Sequence, residues 1–505
     1  AQQRFRVLLQ RLGQLPQRAQ QLVHLIEIAH GFVLHVRRAL DVPIDGGERV
    51  VETDYAIEDK FEHLPKRAVD AVLTAYTDSV AVMYSGVGFP LVKHARAVSN
   101  TVGLVKESRL FLGSERAAAF DAALINSAAL GAGVFDDVAF GGTHTSVALL
   151  PAIFAEADIL GSSGKDIITA YAAGYEVEAR IMERDKDSYA SKGWHASANF
   201  GSIAGAAALS NLRKFNAEQT TRAIGIAAAM TGGIVQSFDY DIGPFQVARG
   251  SATGVMASRL AASGVSASDE AIEKPGRGIL SAMSPKGNVD LDTPVDDLGR
   301  AWRLETVGIH VKQYPCGNMM QRALDGVFDI VRKHDVKPGD VAKIEVLISL
   351  AQFEVISKSP STSTVHVVPS HNIGANVAAA LIERKVDFGV LTLDFYKRPD
   401  AQAIVKLVEI VPDSSIPADT QSNMGFSGGI RMHLRDGRVL ESPSVDYARG
   451  HWTRPLSADE AWGKLAHYSA PWITSASARK LFDQLQGLDK VASIHDLAPE
   501  FIAKG

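Results

Sequence analysis

The sequence contains a single cysteine, Cys316, among its 505 residues. A lone cysteine excludes an intramolecular disulfide and an iron–sulfur cluster held by several thiolates of this chain. No uncharged apolar run reaches the roughly 18 residues that span a bilayer. The net charge of −5 comes with no basic block, so neither a membrane nor a nucleic acid is an expected partner. The lone cysteine fits a reducing compartment, so we expect a cytoplasmic protein. The sequence has no CxxC or HExxH spacing that would indicate a zinc site and no GxGxxG or Walker A loop that would indicate a nucleotide cofactor.

The composition is that of a globular protein, and the chain is long enough for two or three domains. Hydrophobic residues make up 46% and charged residues 22% of the sequence. From about residue 52 to residue 300, the pattern indicates one helix after another, rich in alanine and glycine. Small residues such as Gly201 and Gly205 allow helices to approach closely, which favours a compact bundle.

The pattern changes near residue 305. Residues 343–350 alternate between apolar and polar side chains, as a strand does, and Arg435-Asp436-Gly437 indicates the turn of a hairpin. From Ser457 the pattern is helical again. We therefore predict a mainly α protein with a large all-helical domain from 51–305 and 445–505, a smaller α+β lid domain from 306–444, and an N-terminal extension from 1–50.

The first of four segments suited to chemistry has Asp136 and Asp137 at the end of a predicted helix and His144 at the start of the next. Adjacent carboxylates point in different directions, so we expect at most one of them to face the same pocket as His144. A carboxylate beside an imidazole can orient it for proton transfer. A polar loop between two helices is the alternative interpretation.

The second segment places Lys192, Trp194 and His195 just before a helix rich in small residues. The dipole at the N-terminus of that helix favours bound anions and lowers the pKa of a histidine. A neutral imidazole there can act as a general base, and Lys192 is a candidate substrate-binding residue. The alternative is a capping or core histidine.

The third segment runs from Gly243-Pro244, a predicted loop, into an apolar helix that contains Gln246 and Arg249. The guanidinium of Arg249 is suited to bidentate binding of a substrate carboxylate, and Gln246 would add a polar contact. The alternative is that Arg249 forms a structural ion pair.

The fourth segment lies at the junction of the two predicted domains, where pockets are common. It contains Lys312 and Tyr314 and continues into a helix with Gln321 and Arg322, and these four residues are candidate partners of the substrate. Solvated surface charges are the alternative. Nothing in the sequence supplies Cys316 with a base, so we interpret it as a small buried hydrophobic residue.

The order and spacing of these segments resemble the MmgE/PrpD family, which includes 2-methylcitrate dehydratase, cis-aconitate decarboxylase and iminodisuccinate epimerase. The similarity covers about residues 55–450. Its clearest stretches are AYAAGYEV at 170–177, GWH at 193–195 and KQYPC at 312–316, where the family usually reads AYVAGYEV, GWHPT and KxYPxC. The resemblance implies a helical domain and a smaller α+β lid with the active site between them, in a homodimer that needs no metal.

The match to the family's site residues is incomplete. His144, His195 and Lys312 match the family's two histidines and its junction lysine. Four other positions depart from the family pattern. The family's first aspartate, often considered catalytic, is replaced by Val134, the following Thr or Ser by Val138, a lysine by Gly243 and a histidine by Gln246.

The resemblance predicts a metal-independent lyase of the 2-methylcitrate dehydratase type that acts on a small hydroxy-polycarboxylate by acid–base elimination. The candidate catalytic residues are His144, His195, Lys312, Asp136 and Asp137. An epimerase or isomerase, or a decarboxylase of a related di- or tricarboxylate, is the alternative enzyme. A non-catalytic carboxylate-binding homologue is a further alternative, because several pocket residues of the family are absent.

Overall fold

The computed structural model of this chain describes residues 60–293, 297–350, 353, 369–416, 428–442 and 447–502. The predicted N-terminal extension, residues 1–50, lies outside the described residues. The described residues are mainly helical, which confirms the predicted fold class. No helix among them combines the length and the apolar character that crossing a membrane requires.

The first part of the described chain is a helical bundle with one short ribbon. Its helices are α1 (Lys66–Gly86), α2 (Pro90–Val98), α3 (Ala119–Gly131), α4 (Thr145–Leu160), α5 (Gly164–Glu183), α6 (Ala196–Leu212), α7 (Ala217–Met230), α8 (Ile242–Ala262), α9 (Ile279–Met283) and α10 (Arg303–Thr306). The ribbon pairs β1 (Ser108–Arg109) with β2 (Arg116–Ala117). Side-chain caps fix several helix starts. For example, Ser163 accepts a hydrogen bond from the amide of Asp166 at the start of α5.

Glycine and alanine let the central helices α5, α6 and α8 pack backbone against backbone. A Cβ on Gly174 of α5 would lie 2.8 Å from the carbonyl oxygen of Ala204 in α6. A Cβ on Gly254 of α8 would lie 3.0 Å from the Cα of Gly205. Larger residues would push these helices apart, so the small residues of the sequence predict this close packing correctly.

One helix begins earlier than the sequence pattern indicates. Gly243 and Pro244, predicted as a loop, lie in the first turn of α8. A proline costs nothing there, because the first amides of a helix have no partner inside it. The sequence also predicts a helix over 399–408, whereas the structure ends it at Val405 and begins a strand at Val408.

The second part combines helices with a mixed sheet. Its elements are α11 (Gln321–His334), β3 (Val341–Ile348), α12 (Ile373–Ile382), α13 (Leu393–Lys397), α14 (Pro399–Val405), β4 (Val408–Pro412), β5 (Gly429–Leu434) and β6 (Val439–Glu441). The strand order is β4-β3-β5-β6, with β3 parallel to β4 and antiparallel to β5. β5 and β6 form the predicted antiparallel hairpin.

The described residues form three hydrophobic cores, one of which lies within the helical bundle between 177 and 283. The largest core joins buried residues between 64 and 309 with residues of the last two helices, α15 (Ala458–Ser469) and α16 (Ser475–Gln486), which pack against α1. The second core lies between 314 and 434 and is built from α11, α12 and the sheet. The chain therefore leaves the helical bundle, forms the α+β part and returns to the bundle.

Candidate active site

A cavity of about 90 Å³ lies where the helical bundle meets the turn before α12. Three histidines line it: His144 and His195 from the bundle, and His371 from the α+β part. The remaining lining residues are Gly131, Val134, Asp136, Val147, Phe238, Gly243, Pro244 and Val247. Two of the three imidazoles, those of His144 and His195, belong to candidate catalytic residues predicted from the sequence.

His144 stands directly before α4, and two contacts hold it. Its backbone amide donates a hydrogen bond to the hydroxyl of Ser197, 2.9 Å away. Its Nδ1 forms a short hydrogen bond with Oδ2 of Asp136, a side chain that is 2% exposed. This bond leaves Nε2 of His144 as the ring nitrogen available to a ligand in the cavity.

Lys312 lies behind the cavity wall rather than in it. Its side chain is 1% exposed, and its Nζ donates to the carbonyl oxygen of Val134 at 3.1 Å and lies 3.9 Å from Oδ1 of Asp136. Burial tends to raise the pKa of Asp136, but the charges of His144 and Lys312 outweigh it and hold that pKa below its ordinary value. Asp136 is therefore an ionised link between an imidazole at the cavity and a buried ammonium.

Val134, where the family has an aspartate, holds an unusual backbone conformation. Its φ is +54°, in the left-handed region that a β-branched residue rarely adopts. Such strain costs on the order of 1–3 kcal/mol and persists only when surrounding contacts impose it. The hydrogen bond from Lys312 to the Val134 carbonyl is one of these contacts.

His195 stands directly before α6 and is 5% exposed. Its ring meets the ring of Phe238 edge to face, with centroids 4.5 Å apart. Burial, followed by the nearby charge of His144, lowers the pKa of His195 to about 3, while a hydrogen bond with Gln246 opposes the shift. His195 is thus a neutral imidazole near neutral pH and does not supply a positive charge to the cavity.

Gly243 and Gln246 stand near the cavity where the family pattern has a lysine and a histidine. A Cβ on Gly243 would lie 2.8 Å from the carbonyl oxygen of Ser237, so the family's lysine has no room here. Phe238 from the same turn lines the cavity. Gln246 accepts a hydrogen bond from the amide of Ile234 at 2.7 Å and donates to its carbonyl at 3.3 Å. Gln246 therefore fixes the neighbouring loop and contacts His195 from outside the set of lining residues.

Asp137 faces away from the cavity. It is 2% exposed and accepts a hydrogen bond of 2.6 Å from Ser146, whose hydroxyl is also 2.7 Å from that of Tyr171. Burial, together with the charge of Asp78, raises the pKa of Asp137 well above its ordinary value. A neutral carboxyl group in this position is part of the bundle interior.

Two predicted substrate-binding residues of the bundle have partners within the protein and do not line the cavity. Lys192 forms an ion pair with Asp185. Arg249 donates to the backbone carbonyls of Met230, at 3.0 Å, and Gly232. These bonds tie the loop after α7 to α8, which is a structural use of the guanidinium.

The junction residues other than Lys312 also lie outside the lining. Tyr314 donates to Asp325 at 3.3 Å, and Gln321 accepts hydrogen bonds of 3.1 Å from two backbone amides of the junction segment. Arg322 is 9% exposed at the base of α11. Cys316 is fully buried, and burial raises its pKa to about 12, which agrees with its interpretation as a small buried residue.

His371 is not among the site residues predicted from the sequence. The side chain of Asn372 caps α12, a signal that places residue 371 in the turn before a helix but does not indicate that it faces a pocket. Nδ1 of His371 lies 3.2 Å from Oδ1 of Asp239, a residue of the turn before α8. Among the described residues we find no group of three side chains suited to holding a metal ion.

Two protein-family models match most of this chain. The model of the MmgE/PrpD N-terminal domain matches residues 53–292, and that of the C-terminal domain matches residues 314–488. The chain belongs to the MmgE/PrpD family.

Its relatives include cis-aconitate decarboxylases of animals and a fungus. The enzyme of Mus musculus is 24% identical over 73% of this chain and 75% of its own length, and that of Homo sapiens is 25% identical over 73% and 77%. The enzyme of Aspergillus terreus (strain NIH 2624 / FGSC A1156) is 26% identical over 74% and 80%. These relatives support an enzyme of the lyase class, whereas the dehydratase type that the sequence predicted is not confirmed. The homodimer and the cytoplasmic location stay predictions.

Proposed function

We propose that this chain is a lyase that removes carbon dioxide from a small unsaturated tricarboxylate. One observation carries the proposal: His144, linked through Asp136 to Lys312, faces the same cavity as the neutral His195. Relatives at 24–26% identity over about three quarters of the chain, which are cis-aconitate decarboxylases, support this substrate class.

Decarboxylation of such an acid requires a proton donor. A proton is added to one carbon of the double bond, while the bond between a neighbouring carbon and its carboxylate breaks. The electron pair of the broken bond forms the new double bond, and carbon dioxide leaves. One proton is consumed, and the product is an unsaturated dicarboxylate. A positioned donor typically contributes about 10²–10⁴-fold to the rate of such a step.

We assign the donor role to His144. The carboxylate of Asp136 holds the imidazole through Nδ1, and Nε2 is the nitrogen left to reach the substrate. Lys312 keeps Asp136 ionised without entering the cavity. Asp136 and Lys312 are therefore positioning residues that act through His144.

Dehydration of a hydroxy-tricarboxylate is the second candidate, and His195 is the observation that favours it. Elimination of water begins with removal of a proton next to a carboxylate, which requires a base. His195 lines the cavity in its neutral form, which places it to accept that proton, but its lowered pKa makes it a weak base, so this reaction ranks second. The hydroxyl group would leave with a proton from His144.

Incubation with cis-aconitate, 2-methylcitrate and related acids in heavy water tests the proposal. Decarboxylation releases carbon dioxide and places one deuterium on carbon, dehydration forms a double bond without carbon dioxide, and epimerisation exchanges a proton with no net loss. His144→Gln should lower kcat about 10²–10⁴-fold. Turnover of cis-aconitate without carbon dioxide release would contradict the proposed reaction.

A histidine variant outside the cavity serves as the control for His144→Gln. His334 lies exposed in the last turn of α11, away from the cavity. His334→Gln should therefore leave kcat unchanged while His144→Gln lowers it. If both variants keep the turnover of the wild type, His144 is not the proton donor.

A further inference from the structure

The cavity offers few positive charges to an anionic substrate. Its described lining contains no lysine or arginine, and Lys312 stands behind Asp136. A tricarboxylate brings up to three negative charges, whose transfer out of water is costly unless cationic or donor groups replace the solvent. The groups of the lining that can carry a positive charge are His144, His195 and His371.

These three imidazoles are not equivalent. His195 is neutral in the folded protein because it is buried. His144 is engaged as the proton donor in the proposed function. His371 is therefore the remaining lining residue that can balance a substrate carboxylate.

Asp239 prepares His371 for that role. Its Oδ1 lies 3.2 Å from Nδ1 of His371, which orients the ring and leaves Nε2 for a ligand. The arrangement repeats that of Asp136 and His144, which line the same cavity. Two carboxylate-supported imidazoles thus line one cavity, one from each part of the chain.

The backbone around His371 is held at several points. The carbonyl of Pro369 accepts a hydrogen bond of 2.9 Å from the side chain of Asn376, which is fully buried. The carbonyl of Ser370 accepts one of 2.9 Å from the amide of Gly317, in the junction segment. Because these bonds fix the backbone of the turn, the turn has little conformational freedom to lose on binding.

We propose that protonated His371, oriented by Asp239, binds one carboxylate of the substrate from the α+β side of the cavity. The inference rests on the proposed function, to which it adds a specificity-determining residue. His371 contributes to holding the substrate and not to the chemical step. Its loss therefore raises KM for tricarboxylates while kcat stays within a few-fold.

Calorimetry with propane-1,2,3-tricarboxylate tests the inference without catalysis, since this acid has neither a double bond nor a hydroxyl group. His371→Gln should weaken its binding about 10–100-fold, the usual size of a hydrogen bond to a charged group. His371→Lys should recover most of the affinity, and Asp239→Asn should give an intermediate value. His334→Gln is the matched control and should bind as the wild type does.

The remaining outcomes are also decisive. Equal affinity of wild type and His371→Gln, or no binding to the wild type, overturns the role of His371. If His371→Gln loses both affinity and thermal stability and His371→Lys recovers neither, the residue only holds the turn and the inference fails. The proposed function fails separately, when His144→Gln keeps full turnover, and that result leaves the binding data in place.

Discussion

Two groups of buried charges lie side by side in this protein and behave in opposite ways. The cavity cluster consists of Asp136, His144 and Lys312, and the interior cluster of Asp78, Asp137 and Lys464. Burial raises the pKa of Asp78 and that of Asp137, whereas Asp136 has a lowered pKa. Asp136 and Asp137 are neighbours in the sequence and are both 2% exposed. Two equally buried aspartates therefore have pKa values shifted in opposite directions, and their neighbouring groups determine the direction.

The partners of the two aspartates explain the difference. Asp136 faces two cationic groups, while Asp137 accepts a hydrogen bond from the hydroxyl of Ser146 and lies near the like charge of Asp78. Two opposite charges outweigh desolvation in the first case, and nothing outweighs it in the second. The same residue type is thus an ionised positioning group at the cavity and a neutral core group a few ångströms away.

Lys464 connects the two clusters. Its Nζ donates to Asp78 at 2.6 Å and to the backbone carbonyl of Lys312 at 2.9 Å, and it lies 3.7 Å from the ring centroid of Phe135. Phe135 immediately precedes Asp136, so Lys464 contacts both chain segments that carry the cavity cluster. The interior cluster supports the position of the groups that face the substrate.

Replacing the charge of Asp136 should produce the largest effect. Asp136→Asn removes the group that orients His144, so kcat should fall about 10²–10⁴-fold. It also leaves the buried ammonium of Lys312 without its carboxylate, which should cost about 3–5 kcal/mol of unfolding free energy. Urea unfolding and turnover of cis-aconitate measure the two effects. The double variant Asp136→Asn/Lys312→Met should recover stability but not activity, and recovery of both would refute the positioning role.

Breaking the connection between the clusters should cost less. Lys464→Met leaves the carboxylate of Asp78 unpaired, and because Asp78 can take up a proton we expect about 3 kcal/mol, the lower end for a broken buried pair. Lys480→Met, at an exposed position of α16, is the control and should change stability by less than about 0.5 kcal/mol. Equal urea midpoints for Lys464→Met and Lys480→Met would show that Lys464 does not support the clusters.

The sequence predicts the bundle better than it predicts the cavity. Periodicity and small residues locate most helices, and His144 and His195 are placed correctly before α4 and α6. His371 and Phe238 could not be assigned, because long-range packing brings their turns to the cavity and neither residue has a local signal for it. The sequence could not identify the partners of Arg249 and Lys192 either. A charged residue on a helix or in a loop shows the same sequence pattern whether it binds a substrate or a group of the protein.

Replacing the neutral aspartate should produce the smallest effect and the sharpest contrast. Asp137→Asn substitutes an amide for a carboxyl group that is protonated in the folded protein, so it should change the unfolding free energy by less than about 1 kcal/mol near pH 4 and leave kcat within a few-fold.

Above the ordinary pKa of 3.8, the wild-type unfolded chain releases the Asp137 proton while the folded protein keeps it, so this group's contribution to stability declines as pH rises. The unfolding free energy of the variant should therefore rise relative to that of the wild type with increasing pH, by at most about 1.4 kcal/mol per pH unit. Asp136 has the opposite sign, because its lowered pKa adds stability above 3.8 that is lost on acidification through the folded pKa. Urea unfolding at several pH values should thus give divergent curves for the two asparagine variants, and parallel curves would show that the two aspartates have the same protonation state.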